Sequence, residues 1–236
     1  MKQIYFIARR QLGSYFNSPV AYVVVVLFLL ITGSLFWLTF FDDLNVLSLR
    51  GYFERTPLFL AFFAPAITMG SFATEKRSGT LELLKTMPVT DVQIVLGKFV
   101  AALALLAVVF AMTLPYPYTL SLLGELDWGA VAAGYIGVML VGGAYTAIGL
   151  MASSWARDQV VAILVAFSLC ILLYLIDQLA APVTGTAATI VEYASTNYHF
   201  RSIARGVIEI RSVVYYLSVM TAALVITTLS IERQSW

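Results

Sequence analysis

The sequence predicts an all-α polytopic membrane protein with six transmembrane helices, an interfacial helix at the N-terminus and a cytoplasmic helix between spans two and three. Composition is the first reason: 61% of the 236 residues are hydrophobic, 11% are charged and the mean hydropathy is +0.89, outside the range of soluble domains. Length is the second reason, because a spanning helix needs about 20 mostly apolar residues. Six stretches reach or approach this length: about 20–41, 57–74, 99–123, 129–153, 159–178 and 212–231. We expect them to form one transmembrane domain over residues 1–236.

Residues 3–16 precede the first span and mix aliphatic and aromatic side chains with Arg9, Arg10 and Gln11. This mixture is typical of a helix that lies in the membrane interface, and Asn17-Ser18-Pro19 ends it. A frayed N-terminal tail is the alternative. The apolar run that follows has no small-residue cleavage site, so we expect an uncleaved anchor rather than a signal peptide.

The basic residues predict the side of the membrane that each loop faces. Nine of the 14 lie in the N-terminus, residues 74–98, residues 154–158 and the C-terminus, whereas five lie in residues 42–56 and 179–211. Because short cytoplasmic loops carry the excess of Lys and Arg, we expect both termini and the 74–98 loop in the cytoplasm. On the outer side, the apolar and aromatic residues of 179–211 predict one or two short helices before the sixth span.

The predicted spans lack the residues that several chemistries require. They contain no Lys, Arg, Glu or His, and only Asp177 lies near a span end. Ion-coupled transporters and intramembrane hydrolases usually use such residues, so a self-sufficient transporter or channel is disfavoured. The chain also has no glycine-rich phosphate-binding loop, and its single His199 and single Cys170 form no metal or disulfide pattern. We therefore expect no catalytic residue, metal or cofactor in this chain. We expect the chain to be surrounded by the lipid bilayer and to have no nucleic-acid partner.

Residues 75–98 form the one long charged and amphipathic stretch of the chain. Gly79 is expected to end the helix of the second span, and residues 80–85 give about one and a half helical turns before Pro88 stops them. Thr90 and Gln93 then have the spacing of a capping box at the start of the next helix. The stretch is therefore either a cytoplasmic docking element or an ordinary solvated loop.

The order of residues in this loop resembles a motif of the permease subunits of type 2 ABC exporters. The motif is carried by Glu75, a basic pair, Gly79-Thr80-Leu81-Glu82, Leu84, Pro88-Val89-Thr90 and Gly97-Lys98. Within that family, the compact size and the segment from Asn197 to Ile208 look closest to the gliding-motility-type permeases.

The resemblance implies a non-catalytic membrane subunit in the bacterial cytoplasmic (inner) membrane. Two permeases, identical or paralogous, would pair, and each would seat its coupling loop on a cytoplasmic ABC ATPase dimer that binds the ATP and magnesium. Apolar residues of the loop would insert into the ATPase, its charged residues would surround that contact, and Gly79 and Pro88 would set its shape. The coupling residues implied are Glu75, Gly79, Thr80, Leu81, Glu82, Leu84, Lys85, Met87 and Pro88.

An alternative function is a membrane scaffold that transmits ATPase motion to an extracytoplasmic partner without moving a solute. Gliding-type permeases are often accompanied by an auxiliary membrane protein with a large outer domain, which makes this alternative serious. Before the sixth span, aromatic residues alternate with cations in a segment that either gates the outer mouth, binds an outer partner or anchors a helix to headgroups. Its residues are Tyr198, His199, Phe200, Arg201 and Arg205, and we expect the lone His199 to lie at a surface or membrane interface.

Overall fold

A computed structural model describes residues 2–42, 48–80, 89–180 and 193–233. Within these ranges the chain forms helices and no strands. In chain order the helices are α1 (Lys2–Phe16), α2 (Pro19–Asp42), α3 (Arg50–Thr68), α4 (Gly70–Arg77), α5 (Asp91–Ala111), α6 (Pro115–Ser121), α7 (Trp128–Trp155), α8 (Gln159–Ala180), α9 (Thr196–Ala204) and α10 (Ile210–Arg233).

Six helical segments of the described chain are long and apolar enough to cross a membrane. This confirms the predicted all-α class with six spans, whereas most of the helix predicted between spans two and three lies outside the described residues. Two of the segments join two helices each, because α3 continues into α4 and α5 continues into α6. The segments are Ala21–Leu38, Arg50–Arg77, Asp91–Ser121, Trp128–Trp155, Gln159–Ile176 and Ile210–Arg233.

Prolines account for the two junctions inside these segments. Pro65 lies in the last turn of α3, and because its ring nitrogen has no hydrogen to donate to the Ala61 carbonyl, one helical hydrogen bond is missing in the turn before the junction at Met69. Pro115 occupies the first turn of α6, where a missing amide hydrogen costs nothing. Both junctions follow from the sequence.

Helix α7 forms the centre of the bundle. In the most apolar stretch of α7, 83% of the residues are buried, whereas 17% are buried in the corresponding stretches of α2 and α8. Helix α7 packs against α3, α5, α8, α9 and α10. Its glycines permit this packing: an added Cβ on Gly134 would lie 2.3 Å from the Phe53 ring, and one on Gly149 would lie 2.0 Å from Thr68 Oγ1. The small residues of this span therefore serve close helix packing within one chain.

Helix α1 packs along the first half of α5. Ala8 and Tyr15 of α1 are buried against Ala101 and Leu105 of α5, and an added Cβ on Gly97 would lie 2.6 Å from Ile7 Cγ2. The N-terminal segment is therefore a helix attached to the bundle. Its placement in the membrane interface stays a prediction.

Candidate functional site

The loop predicted to dock leaves the bundle at the end of α4. Ser78 caps that helix, and Gly79 has φ +72°, a left-handed conformation that favours glycine. Thr80 donates its hydroxyl to the backbone oxygen of Glu75 across 3.4 Å and lies 2.9 Å from the Ser78 hydroxyl. The chain therefore turns away from the helix axis at Gly79, as the sequence predicts.

The loop returns to the bundle through a capped helix start. The Thr90 hydroxyl accepts a hydrogen bond from the Gln93 amide across 3.4 Å, and the Gln93 side chain accepts one from the Thr90 amide across 3.2 Å. The predicted capping box is thus confirmed. Asp91 in the first turn also complements the positive end of the helix dipole.

A buried ion pair joins the two ends of the loop. Lys98 Nζ on α5 lies 2.7 Å from Glu75 Oε1 on α4, and only 2% of the lysine side chain and 19% of the glutamate side chain are exposed. The same ammonium donates to the Ser71 backbone oxygen and lies 4.6 Å from the centre of the Phe72 ring. Because each charge would be strongly destabilising without the other in this setting, the pair holds the start of the loop against its end.

The last turn of α4 is also bound to the connection between α7 and α8. Lys76 donates its ammonium to the Ser154 backbone oxygen, and Arg77 lies 3.6 Å from Asp158. Gln159 at the start of α8 donates to the Thr74 hydroxyl across 2.7 Å. The helix that enters the loop therefore contacts the end of α7 and the start of α8.

Ser153 fixes the start of α4 in the same way from the centre of the bundle. Its hydroxyl accepts hydrogen bonds from the amides of Phe72 and Ala73 across 3.0 and 3.1 Å and donates to the Met69 backbone oxygen across 2.8 Å. Amides in the first turn of a helix have no partner within that helix, so a buried hydroxyl satisfies them here. Movement of α4 is in this way tied to movement of α7.

The structure places the predicted coupling residues in two groups. Glu75, Gly79 and Thr80 lie at the start of the loop, with Glu75 turned toward Lys98 inside the bundle. The remaining residues fall outside the described ranges, and they are Leu81, Glu82, Leu84, Lys85, Met87 and Pro88. Their role in coupling stays a prediction.

Sequence reasoning missed the ion pair. It assigned Glu75 to the border of the ATPase contact and Lys98 to the end of the family motif in the loop. One signal was available: both residues border long apolar runs, where an isolated charge requires a partner. Their contact joins two different helices across the loop, and the spacing of residues along the chain does not give such a contact.

The predicted outer segment forms α9 at the opposite end of α7. Phe200 is fully buried, and an added Cβ on Gly137 would lie 3.0 Å from its ring. Arg201 and Arg205 are exposed, and Tyr198 is half-buried. Phe200 therefore belongs to the core, and the gate, partner or anchor roles of the exposed residues stay predictions.

His199 is buried, with 3% of its surface exposed, so the predicted surface position is wrong, whereas its placement at the depth of the membrane interface stays a prediction. Its ring stacks on Tyr215 with centroids 4.3 Å apart. Its Nε2 lies 3.1 Å from the Tyr193 backbone oxygen, which only accepts, so Nε2 carries the hydrogen and Nδ1 accepts from Ser212 across 3.4 Å. Burial lowers the pKa of this imidazole.

The six apolar helical segments and the charged loop between the second and third define a polytopic membrane protein. Residues 47–231 match the profile of the ABC-2 family transporter proteins. The chain therefore belongs to the ABC-2 transporter family. It is a multi-pass permease subunit of an ABC transporter, and membership of the family implies a cytoplasmic ABC ATPase as its partner. No curated protein matches the sequence.

Proposed function

We propose that this chain couples ATP hydrolysis on a separate cytoplasmic ATPase dimer to export, or to mechanical transmission, across the bacterial cytoplasmic membrane. Two copies of the permease, or this chain and a paralogue, pair in the active complex, which is closest to the gliding-motility-type systems. An auxiliary membrane protein with an outer domain completes it. The chain itself is not catalytic, and the ATPase binds the ATP and magnesium.

The observation that carries the proposal is the attachment of the 75–98 loop to the bundle at both ends. The buried Glu75–Lys98 pair joins α4 to α5, and Lys76 and Ser153 join α4 to α7. A displacement of the loop therefore moves three helices together instead of being absorbed by flexible connections. A solvated linker has no need of this buried polar attachment, which costs desolvation.

In the proposed orientation both termini and the 75–98 loop face the cytoplasm, as the distribution of basic residues predicts. Gly79 directs the chain away from the end of α4, and the Thr90 cap starts α5. Between them, Leu81, Leu84 and Met87 supply the apolar contact with the ATPase, and Glu82 and Lys85 supply charged contacts around it.

The test is loss of the ATPase when the loop is altered. Glu82→Arg and Leu84→Asp leave the apolar spans unchanged, so both variants are expected to insert normally while losing about 2–5 kcal/mol of association free energy. Glu125→Arg is the matched control, because Glu125 lies exposed in the turn between α6 and α7 on the outer side. The measurement is copurification of the ATPase with the tagged permease, together with the ATPase rate of the complex. Normal copurification and a normal rate in both loop variants would show that the loop only connects two spans.

A further inference from the structure

A polar cavity lies between α1, α4 and α8, beside the Glu75–Lys98 pair. It has a volume of about 280 Å³, and its polar side chains are Gln11, Ser14, Tyr15, Ser18, Ser71, Thr74, Glu75 and Gln159. Among the described residues that line it, Glu75 carries the one formal charge, and Lys98 lies behind it rather than in the wall. The cavity therefore favours a cationic group that also donates hydrogen bonds.

An apolar groove adjoins this cavity between α2 and α5. It has a volume of about 270 Å³, and its lining includes Tyr22, Val26 and Val108. The polar cavity and the groove share three lining residues, Tyr15, Ala21 and Leu105. The groove faces outward, because Val26 and Val108 are 52% and 45% exposed. A molecule with a polar end and an aliphatic chain can therefore occupy both spaces and enter sideways from the bilayer.

The Glu75 carboxylate has an unused hydrogen-bonding position. Lys98 binds Oε1, whereas Oε2 is buried and has no hydrogen-bond partner among the described residues. A buried carboxylate oxygen without a donor is unusual and calls for a missing partner. Glu75 itself lines the cavity, and because the torsion that rotates a glutamate carboxylate is soft, rotation can turn this oxygen toward the cavity.

Arg10 provides a complementary charge near the opening of the cavity. It is exposed on α1 and lies one turn before Ser14, which is part of the lining. A residue four positions earlier on a helix lies on the same side of it. A group with an ammonium at the carboxylate and a phosphate toward Arg10 therefore matches the arrangement of charges.

We propose that the polar cavity and the apolar groove together bind one phospholipid with a primary ammonium headgroup, of the phosphatidylethanolamine type. The ammonium donates hydrogen bonds to Glu75 and to the neutral oxygens of Gln11 and Ser14, and one acyl chain lies in the groove between α2 and α5. Such a lipid fills the space between α1 and α2 beside the helix that enters the 75–98 loop. The proposal goes beyond ATPase coupling, because it depends only on the geometry of the helices that line the cavity and the groove.

The headgroup is tested with the full-length permease in nanodiscs. The discs contain phosphatidylglycerol with an added fraction of either phosphatidylethanolamine or phosphatidylcholine. Phosphatidylcholine carries the same charge, but its trimethylated nitrogen cannot donate a hydrogen bond. After transfer to detergent, retained lipid is counted by native mass spectrometry. We expect about tenfold higher retention of phosphatidylethanolamine, since a hydrogen bond to a charged group has about this effect on affinity. The proposal would be overturned by equal retention of the two lipids, by preferred retention of phosphatidylglycerol, or by the absence of any retained lipid. The absence of retained lipid would show that the cavity holds only water.

The location is tested with a pair of matched substitutions on α2. Ala21→Phe places a ring in the wall shared by the two cavities, whereas Val23→Phe places the same ring on the exposed face of the same helix, where Val23 is 56% exposed. We expect Ala21→Phe to abolish the preference for phosphatidylethanolamine and Val23→Phe to keep it. If Ala21→Phe does not fold, Gln11→Ala with Ser14→Ala replaces it, because both side chains line the cavity on α1 and neither is fully buried. An unchanged preference in the blocking variant would place the lipid elsewhere and overturn the assignment.

Discussion

Glu75 and Lys98 form an ion pair of 2.7 Å between the helix that enters the 75–98 loop and the helix that leaves it. The pair closes the loop at its base, where 2% of the lysine side chain and 19% of the glutamate side chain are exposed. Because the Lys98 ammonium also binds the Ser71 backbone oxygen and the Phe72 ring, three contacts on α4 fix one side chain of α5. The base of the loop is therefore the most strongly constrained part of the candidate site.

Removal of one partner of this pair is expected to destabilise the protein strongly. Lys98→Met leaves the Glu75 carboxylate buried without its counter-charge, which costs about 3–5 kcal/mol in the free energy of unfolding. Chemical denaturation of the purified permease in detergent micelles measures this. Arg77→Met is the control: Arg77 is 77% exposed and 3.6 Å from Asp158, so its loss should cost no more than about 1 kcal/mol.

The double variant Glu75→Gln with Lys98→Met separates charge from packing. Both side chains remain similar in size and neither is charged, so we expect most of the stability lost in Lys98→Met to return. Similar losses in the single and double variants would show that shape, rather than the paired charges, holds α4 against α5.

Close packing at the glycines of α7 gives a second prediction. A Cβ on Gly134 would lie 2.3 Å from the Phe53 ring, and Phe53 is 1% exposed, so the ring has little room to move. Gly134→Ala should therefore lower the free energy of unfolding by about 1–3 kcal/mol. Gly13→Ala on α1 is the matched control, because nothing lies within 4 Å of its added Cβ. The control should gain up to about 1 kcal/mol from helix propensity, and equal effects at the two sites would contradict the close approach of α3 and α7.

Local sequence patterns were sufficient to predict the elements of the fold. The apolar lengths gave six spans, and Gly79 and Thr90 gave the end of one helix and the start of another. Each of these depends on residues close together in the chain. The long-range contacts could not be read in this way.

The burial of His199 shows why long-range contacts could not be predicted from the sequence. Its neighbours in the sequence are polar and aromatic, which is typical of a membrane interface, yet Tyr215 and Ser212 of α10 cover it from a helix that begins later in the chain. The same holds for Glu75, whose partner Lys98 lies on another helix beyond the loop. His199 and Glu75 are thus both polar residues whose partners come from another helix, and the ATPase contact expected of Glu75 stays a prediction.

The proposed topology is checked by cysteine labelling. In a Cys170→Ser background, a cysteine at Ser78, which is exposed after α4, should be protected from an impermeant thiol reagent in intact cells and react in inverted vesicles. A cysteine at Thr186, in the predicted outer loop and outside the described ranges, should show the reverse. The physical reason is the excess of basic residues beside the 75–98 loop. Labelling of both positions from outside would refute the arrangement of six spans with cytoplasmic termini.

Buried His199 predicts how stability depends on pH. Burial lowers the pKa of the imidazole in the folded protein, and the nearby Arg211 acts in the same direction, whereas the Tyr193 carbonyl and Glu209 oppose it. The folded protein therefore binds the proton less readily than the unfolded chain, in which histidine has a pKa of about 6.5. Stability is complete above that value and falls as the pH drops below it, by up to about 1.4 kcal/mol per pH unit for one proton. Glu209, whose pKa its hydrogen bond to Arg211 lowers, contributes only at more acidic pH.

The measurement is the free energy of unfolding in detergent micelles at pH values from 7.5 to about 5, compared between the wild-type permease and His199→Gln. Glutamine retains a hydrogen-bond donor and acceptor but does not titrate in this range, and the chain contains no other histidine. We expect the wild-type protein to lose stability on acidification and the variant to remain constant over the same interval. Parallel curves for the two proteins would mean that another group takes up the proton, and a rise in wild-type stability at low pH would mean that the folded protein holds His199 in its charged form.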